Sequence, residues 1–330
     1  MSFKQLQSRL LIALGLGLGV MLVLALLSDA QAVGSSLQQF QWPLLPLIVG
    51  LTIINYVLRW LKWDFYLRYM RMNDGVSPLD SGLLFTAGMV MSVTPGKIGE
   101  VFKSYLLKQL NNTPITASAP IVLMERLTDG IAMLLLMGVG LTLYPPARPL
   151  FFVLVGLTVT GILLVQYRWL CEQILTRIAG LPLGNRLAPR LTTIYESIHQ
   201  LLGWRILLLT TIISVVSWGC ECVAFYFVLV GLGVEGTWLL LLQATFIFAA
   251  STLFGLVSLL PGGLGTSEVT SAGLLVTLVG MDVAAATAAT ILIRFATLWF
   301  GVGLGIIALA WFVRRHRHLR GIDLSADAAA

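Results

Sequence analysis

The chain has 330 residues with a net charge of +6, of which 58% are hydrophobic and only 11% charged, and its mean hydropathy is +0.91. Soluble domains carry roughly 25% charged residues, so this composition excludes a soluble globular protein and indicates an integral membrane protein. The cations lie in short patches beside apolar runs, which is typical of topology signals and anionic lipid contacts, so nucleic acid is not expected as a partner.

The first predicted element is a membrane helix over residues 9–28. Lys4 and Arg9 precede its apolar run, and the small residues 30–32 leave a cleaved signal peptide open as an alternative. The run exceeds the roughly 7 to 15 residues of a signal-peptide core, so we expect an uncleaved helix. No Lys or Arg follows it before Gln41. This loop is therefore expected outside, with the N-terminus in the cytoplasm.

Further apolar segments approach the ~20 residues that a membrane helix needs. They cover 42–61, 119–143, 149–166, 206–232 and 288–312. Tryptophans such as Trp63 and Trp204 are expected at the ends of these spans, where amphipathic rings meet the headgroups. Together with the first helix, they predict about six full spans in an all-α integral membrane protein.

Positive-inside counting decides the topology of two ambiguous segments, 81–107 and 238–279. Basic clusters mark three cytoplasmic regions, namely the segment 168–205, the tail 313–330, and a loop with Arg59, Lys62, Arg68 and Arg71. If 81–107 crossed the membrane, the cluster in 168–205 would fall outside. We therefore expect 81–107 to enter and return from the cytoplasmic side and 238–279 to do so from outside. Both termini are then cytoplasmic.

A helix-breaking motif occurs once in each of these re-entrant segments. The copies read Pro95-Gly96-Lys97-Ile98-Gly99-Glu100 and Pro261-Gly262-Gly263-Leu264-Gly265-Thr266-Ser267-Glu268. In each copy an arginine, Arg126 or Arg294, follows the glutamate by 26 residues, and the two copies are offset by 168. Chance similarity in a chain with 32 glycines is the alternative. Matched breaks in two halves of a membrane protein are typical of inverted-repeat transporters.

We therefore expect one membrane domain that contains two inverted-topology repeats, 42–143 and 206–312, each with a re-entrant hairpin. A connecting span, 149–166, and cytoplasmic interfacial helices, 168–204, lie between them, and 313–330 forms a basic tail. Non-helical backbone deep in a bilayer must be buried in protein or line a wet cavity. A central polar cavity is therefore predicted.

The predicted substrate site combines the two breaks with the buried charges near them. A helix that starts after a break presents N–H groups and a positive dipole end, which suits a lipid phosphate. Buried arginines need a carboxylate or phosphate partner, and the repeat-related glutamates supply either a fixed ion pair or one that opens for a headgroup. The site residues are Pro95, Gly96, Lys97, Gly99, Glu100, Lys103, Glu125, Arg126, Asp129, Pro261, Gly262, Gly263, Gly265, Glu268 and Arg294.

Several of these charges keep alternative roles. Lys97 and Lys103 either contact the phosphate or extend to the interface. Glu125 and Asp129 form a local cluster that either compensates charge or couples transport to protons. Glu221 is either a protonated core residue or a proton relay. The few cysteines and histidines form no catalytic or metal-binding motif, so no enzymatic activity, cofactor or metal is expected.

The Pro-Gly-x-x-Gly-Glu block with Lys103, the Glu125-Arg126 block with Asp129, and the Pro-Gly-Gly-Leu-Gly block with Glu268 and Arg294 resemble a known family. It is the lysylphosphatidylglycerol synthase transmembrane region, or flippase-like domain, and the resemblance covers about residues 40 to 312. In its name-giving members this domain translocates aminoacylated phosphatidylglycerol and is fused to a soluble aminoacyl-transferase domain. Only about 18 residues follow Phe312, so synthase activity is not expected.

Two functions remain open. The resemblance implies a flippase-like transporter, whose partner is an anionic or zwitterionic phospholipid or a polyprenyl-phosphate lipid in a bacterial-type inner membrane. The alternative is a non-transporting subunit that supports a glycosyltransferase or another lipid-modifying enzyme. Such a subunit would use close-packing glycine faces, Gly15 with Gly19 and Gly301 with Gly305. The sequence leaves the oligomeric state open.

Overall fold

The structure is a computed structural model that describes residues 29–94, 99–180 and 184–316, together with Gly15 and Gly19; side chains of 184–187 are not described. All regular elements in this part of the chain are helices, which confirms the all-α membrane fold class. The first predicted helix (apart from Gly15 and Gly19), the break residues Pro95, Gly96 and Lys97, and the tail from residue 317 lie outside the described residues.

The helices follow one another with short connections. They are α1 (Ala30–Gln39), α2 (Leu45–Tyr69), α3 (Pro78–Gly88), α4 (Phe102–Asn111), α5 (Ile115–Val139), α6 (Arg148–Gln166), α7 (Arg168–Ala179), α8 (Gly184–Leu201), α9 (Trp204–Gly231), α10 (Trp238–Val257), α11 (Thr266–Leu274), α12 (Val283–Arg294) and α13 (Phe300–Arg315). A 3-10 turn, Met89–Val93, extends α3. A π-helical turn, Phe295–Trp299, joins α12 to α13, so that Val283–Arg315 is a continuous helix of 33 residues.

Helix boundaries follow local capping and proline signals. Ser77 caps α3 and Asp282 caps α12, each by accepting a backbone N–H from the first helical turn, while Pro78 occupies the first position of α3. Most observed helix ends therefore lie a few residues from the predicted span boundaries. The largest error concerns α2, which was expected to end near residue 61 and continues to Tyr69.

Five helical segments in the described residues are long and apolar enough to cross a bilayer. They are Trp42–Tyr69, Pro145–Gln166, Trp204–Gly231, Trp238–Val257 and Val283–Arg315. α5 has 25 residues and thus sufficient length, but it carries Glu125, Arg126 and Asp129 in its interior. α10, the first limb of the second break, is 20 residues long and could cross a bilayer by itself. The return of 238–279 to its own side remains a prediction.

The packing of the helices repeats between the two halves of the chain. α3, before the first break, packs against α13, and α10, before the second break, packs against α5. α2 packs against α9, and the short helices α1 and α8 pack against α12 and α5. Each hairpin therefore lies on a spanning helix of the other half. The repeat boundaries 42–143 and 206–312 stay a prediction.

Helix ends repeat at the same interval as the charged residues. Asn112 ends α4 with φ 63°, and Gly280 ends the π-helical turn after α11 with φ 77°. Both are left-handed C-caps, a conformation for which asparagine and glycine are the usual residues. They are 168 positions apart, as are Glu100 and Glu268. The shared offset favours a repeat over chance similarity of two glycine-rich motifs.

The second break contacts the 3-10 turn that precedes the first break, inside the helix bundle. A Cβ atom on Gly262 would lie only 3.5 Å from the Cα atom of Val93, and Gly262 itself has φ 61°. Val93 forms a small buried apolar cluster with Val302 and Leu298 at this point. A larger residue at Gly262 would be strained at this positive φ, which glycine adopts without a steric penalty.

One predicted surface has a different use, and another has a partner in the structure. α8, which was expected to lie flat on the membrane, packs against α5, and Leu201 and Leu202 at its end are buried. Its position at the membrane interface stays a prediction. The proposed partner face at Gly301 and Gly305 is also internal. A Cβ on Gly301 would lie 2.6 Å from the Tyr56 hydroxyl, and one on Gly305 would lie 2.8 Å from the Val90 backbone nitrogen. These glycines allow α13 to approach α2 and α3 and leave no room there for a partner.

Candidate functional site

A buried ion pair fastens the second break to α12. Glu268 is fully buried, and its Oε1 accepts a hydrogen bond from Arg294 Nε at 2.5 Å. Its other oxygen accepts the Gly265 backbone N–H at 2.7 Å, and Arg294 Nη2 donates to the Gly262 carbonyl at 3.0 Å. The Gly265 N–H at the start of α11 is therefore bonded to a carboxylate of the chain itself. A phosphate could use this donor only after Glu268 moves away.

The equivalent pair is present at the first break. Arg126 Nη2 on α5 lies 3.2 Å from Glu100 Oε2, and Glu100 is buried. Both pairs expected from the spacing of the motifs are thus observed. Whether they bind substrate stays a prediction. Arg126 differs from Arg294 in having a second carboxylate, because its Nη2 also lies 3.1 Å from Asp129 Oδ2.

Lys103 belongs to this buried network and does not extend to the interface. Its Nζ donates to Glu125 Oε2 at 2.6 Å and lies 4.7 Å from the ring centre of Trp63 and 5.2 Å from that of Phe85. Trp63, expected at a membrane interface, is completely buried beneath this ammonium group. Glu125 thus occupies one of the three N–H donors of Lys103.

Arg59 and Lys62 were assigned to a cytoplasmic loop, and this assignment is wrong. Both lie within α2, Arg59 is 8% exposed, and Lys62 is fully buried. Lys62 Nζ donates to Asp129 Oδ1 and Ser214 Oγ at 2.6 Å each and to Thr128 Oγ1 at 3.2 Å. Since these internal acceptors replace water, α2 continues past both cations. Arg68, in the last turn of α2, and Arg71, just after the helix, remain as the basic residues at that end.

The pattern along α2 contained a signal for this burial. Asn55, Arg59, Lys62 and Tyr66 follow the spacing i, i+4, i+7 and i+11, which places them on one face of a helix. A polar stripe of this kind within an otherwise apolar helix indicates an inward-facing site. All four residues are buried in the structure.

The second half has a cavity where the first half has its additional charges. The offset of 168 relates Lys103 to Ser271, Glu125 to Ile293, and Asp129 to Thr297. These second-half residues all line a cavity of about 80 Å³, which Arg294 also borders. Short or uncharged side chains therefore leave open the space that the ionic network fills in the first half. A smaller cavity of about 30 Å³ beside Gly262 also borders Ser267 and Arg294.

The larger cavity brings together residues from both halves. Arg59 and Tyr56 reach it from α2, Glu221 from α9, and Arg294 from α12. Glu221 is 3% exposed and lines this cavity. Of the other predicted site residues, Gly99 donates its N–H to Thr94 Oγ1 at 2.9 Å, and Gly263 borders the smaller cavity.

A family model described as the lysylphosphatidylglycerol synthase transmembrane region matches residues 10–305. The chain belongs to this family. A UPF0104 membrane protein of Methanothermobacter thermautotrophicus is 27% identical over 317 residues, which cover 88% of this chain and 90% of that protein. A UPF0104 membrane protein of Methanocaldococcus jannaschii is 27% identical over 183 residues, covering 54% of this chain and 75% of its own length. These matches agree with a multi-pass membrane protein.

Proposed function

We propose that this chain is a flippase-like transporter that moves a phospholipid or polyprenyl-phosphate lipid between the leaflets of a cell membrane of bacterial inner-membrane type. The observation that carries this proposal is the buried Arg–Glu pair that recurs at both helix breaks. Ionisable groups within a membrane protein are costly, and they usually serve a substrate or ion pathway. The family membership supports the same class of function.

The geometry suggests how a headgroup could be exchanged. Arg294 now uses Glu268 and the Gly262 carbonyl as acceptors. A lipid phosphate offers the same acceptor chemistry as Glu268, so it could replace that carboxylate on the guanidinium. The Gly265 N–H would then also become available. The acyl or prenyl chains would remain in the bilayer while the headgroup passes between the hairpins.

The two halves would act alternately. In this conformation, the first-half network is closed by the Lys103–Glu125 and Lys62–Asp129 pairs, whereas the second half has an open cavity. Opening the first-half pairs would expose Arg126 and Lys103 to a headgroup. Because each hairpin packs on a spanning helix of the other half, movement of one hairpin would shift the helix beside the other.

Purified protein in vesicles of known orientation would test this function. We would include a labelled phospholipid or a labelled polyprenyl phosphate in one leaflet and measure its appearance in the other. The proposal requires at least one label to move faster than in protein-free vesicles. Native mass spectrometry of the purified protein would show which lipid class it retains.

The opposite outcome would support the accessory-subunit alternative. In that case neither label would move in either orientation, and deletion of the protein would reduce the activity of a membrane-bound glycosyltransferase or lipid-modifying enzyme. The internal packing of Gly301 and Gly305 removes one surface on which this alternative depended.

A further inference from the structure

Arg59 is a buried cation with too few partners. A guanidinium group has five N–H donors, yet Arg59 makes no hydrogen bond with any residue in the described part of the chain. Its nearest carboxylate oxygen is Asp129 Oδ2, at 4.0 Å from Nε. The rings of Trp218 and Phe85, at 5.1 and 5.9 Å, supply only cation–π contact. Burying a charge without hydrogen bonds is costly, so acceptors in the cavity, whether water or an anion, would stabilise this side chain.

The cavity presents donors from several helices and little negative charge. Arg59 and Arg294 border it from α2 and α12, and Thr252 and Ser267 add hydroxyl groups that donate no hydrogen bond to any described residue. Glu221 is the single carboxylate among the described lining residues. Two guanidinium groups with nearby hydroxyls suit a tetrahedral oxyanion, since arginine binds phosphate through paired N–H groups. The volume of about 80 Å³ is sufficient for a phosphate group.

Asp129 connects this cavity with the first-half network. Its Oδ1 binds Lys62, and its Oδ2 lies 3.1 Å from Arg126 and 4.0 Å from Arg59. Arg59 therefore stands between an internal carboxylate and an open cavity. An anion in the cavity would draw Arg59 away from Asp129, and loss of that anion would return it.

We infer that Arg59 and Arg294 form a clamp for one phosphate group in the cavity, and that Asp129 competes with this phosphate for Arg59. The inference rests on the proposed function for the assignment of the phosphate to a lipid headgroup. The clamp would couple occupancy of the second-half cavity to the charges that close the first half. The contact between Arg59 and Asp129 in the first-half network would thus depend on whether a phosphate occupies the second-half cavity.

Calorimetric titration of the purified protein in detergent can test the clamp. The probes are inorganic phosphate, a short-chain phosphatidylglycerol, and a short-chain diacylglycerol, which lacks phosphate. We expect Arg59→Gln to weaken phosphatidylglycerol binding by roughly tenfold or more, because charge-assisted hydrogen bonds are lost. Arg59→Lys should lose less, and diacylglycerol should not bind. Arg205→Gln is the matched control, because Arg205 is exposed and does not border the cavity.

Thermal stability separates this role from a structural one. Because Arg59 has no hydrogen bond to lose and its carboxylate contact is at 4.0 Å, Arg59→Gln should lower the melting temperature less than Arg126→Gln does. Arg126→Gln should melt lower, since it leaves Glu100 without its arginine. Asp129→Asn should bind phosphatidylglycerol several-fold more tightly, because the competing charge is removed. Equal affinity in the unmodified protein and Arg59→Gln, or no binding to either, would overturn the clamp.

The same variants distinguish the clamp from lipid transport. Arg59-dependent binding of phosphatidylglycerol without lipid movement in vesicles would uphold the clamp and reject transport. Lipid movement at an unchanged rate in Arg59→Gln would reject the clamp and uphold transport. Arg59-dependent binding of inorganic phosphate alone would uphold the clamp and identify a free phosphate as its ligand.

Discussion

Replacing Arg294 with glutamine should release the second helix break from α12. Arg294 bonds both to Glu268, which is fully buried, and to the Gly262 carbonyl. Removing one partner of a buried ion pair costs about 3–5 kcal/mol because the other charge is left uncompensated. The Arg294 side chain is 18% exposed, so water partly screens the pair, and we expect a loss of about 3 kcal/mol in unfolding free energy.

A double-mutant cycle with Glu268→Gln would isolate the pair. Unfolding free energies would be measured by circular dichroism in mixed micelles with increasing dodecyl sulfate. The double variant should lose less than the sum of the single variants, with a coupling of about 2 kcal/mol. Additive losses, equal within about 0.5 kcal/mol, would refute the idea that this contact fixes the break.

The first break provides an internal comparison. Arg126 keeps Asp129 at 3.1 Å when Glu100 is removed, whereas Arg294 has no second carboxylate within 4.0 Å among the described residues. We therefore expect Glu100→Gln to lose less stability than Glu268→Gln. The reverse order would show that the network around Asp129 does not share the charge of Arg126.

Three further predictions address topology, packing and charge. Cysteine probes at Glu235 should react from outside and those at Asn185 only after permeabilisation, and outside labelling of Asn185 would reject the re-entrant first hairpin. Gly305→Leu should destabilise the protein by about 1–3 kcal/mol in thermal or micelle unfolding, because the side chain would overpack α3. Gly303→Leu, at a position with open space, should be tolerated, and equal effects would contradict the packing. Glu221→Gln should tighten phosphatidylglycerol binding in calorimetry because it removes the carboxylate that lines the cavity, and unchanged affinity would count against an anion there.

The sequence predicted the fold class and the two Arg–Glu pairs because both depend on local signals. Apolar length identifies membrane helices, and the Pro-Gly breaks identify where those helices stop. The spacing from Glu100 to Arg126 recurs exactly between Glu268 and Arg294, and the helix end at Asn112 recurs at Gly280. A shared spacing can be recognised in the sequence without knowledge of long-range packing.

The remainder of the site depends on contacts between distant helices. Lys62 is buried because Asp129 and Ser214, from α5 and α9, surround its ammonium group. A count of positive charges cannot distinguish such a lysine from one in a cytoplasmic loop. The cavity likewise arises because Ser271 and Thr297 lack the charged groups of Lys103 and Asp129. Its shape depends on how the two halves pack together.

Lipid movement by arginine variants in proteoliposomes tests the transport claim most directly. Arg126→Ala and Arg294→Ala should each abolish translocation of the labelled lipid that the unmodified protein moves. The corresponding lysine variants should recover little activity, because an ammonium group lacks the planar fork that matches carboxylate and phosphate. Size-exclusion profiles and helical content would confirm that each variant is folded. If both folded alanine variants move lipid at the unmodified rate, the buried arginine pairs are not the transport site.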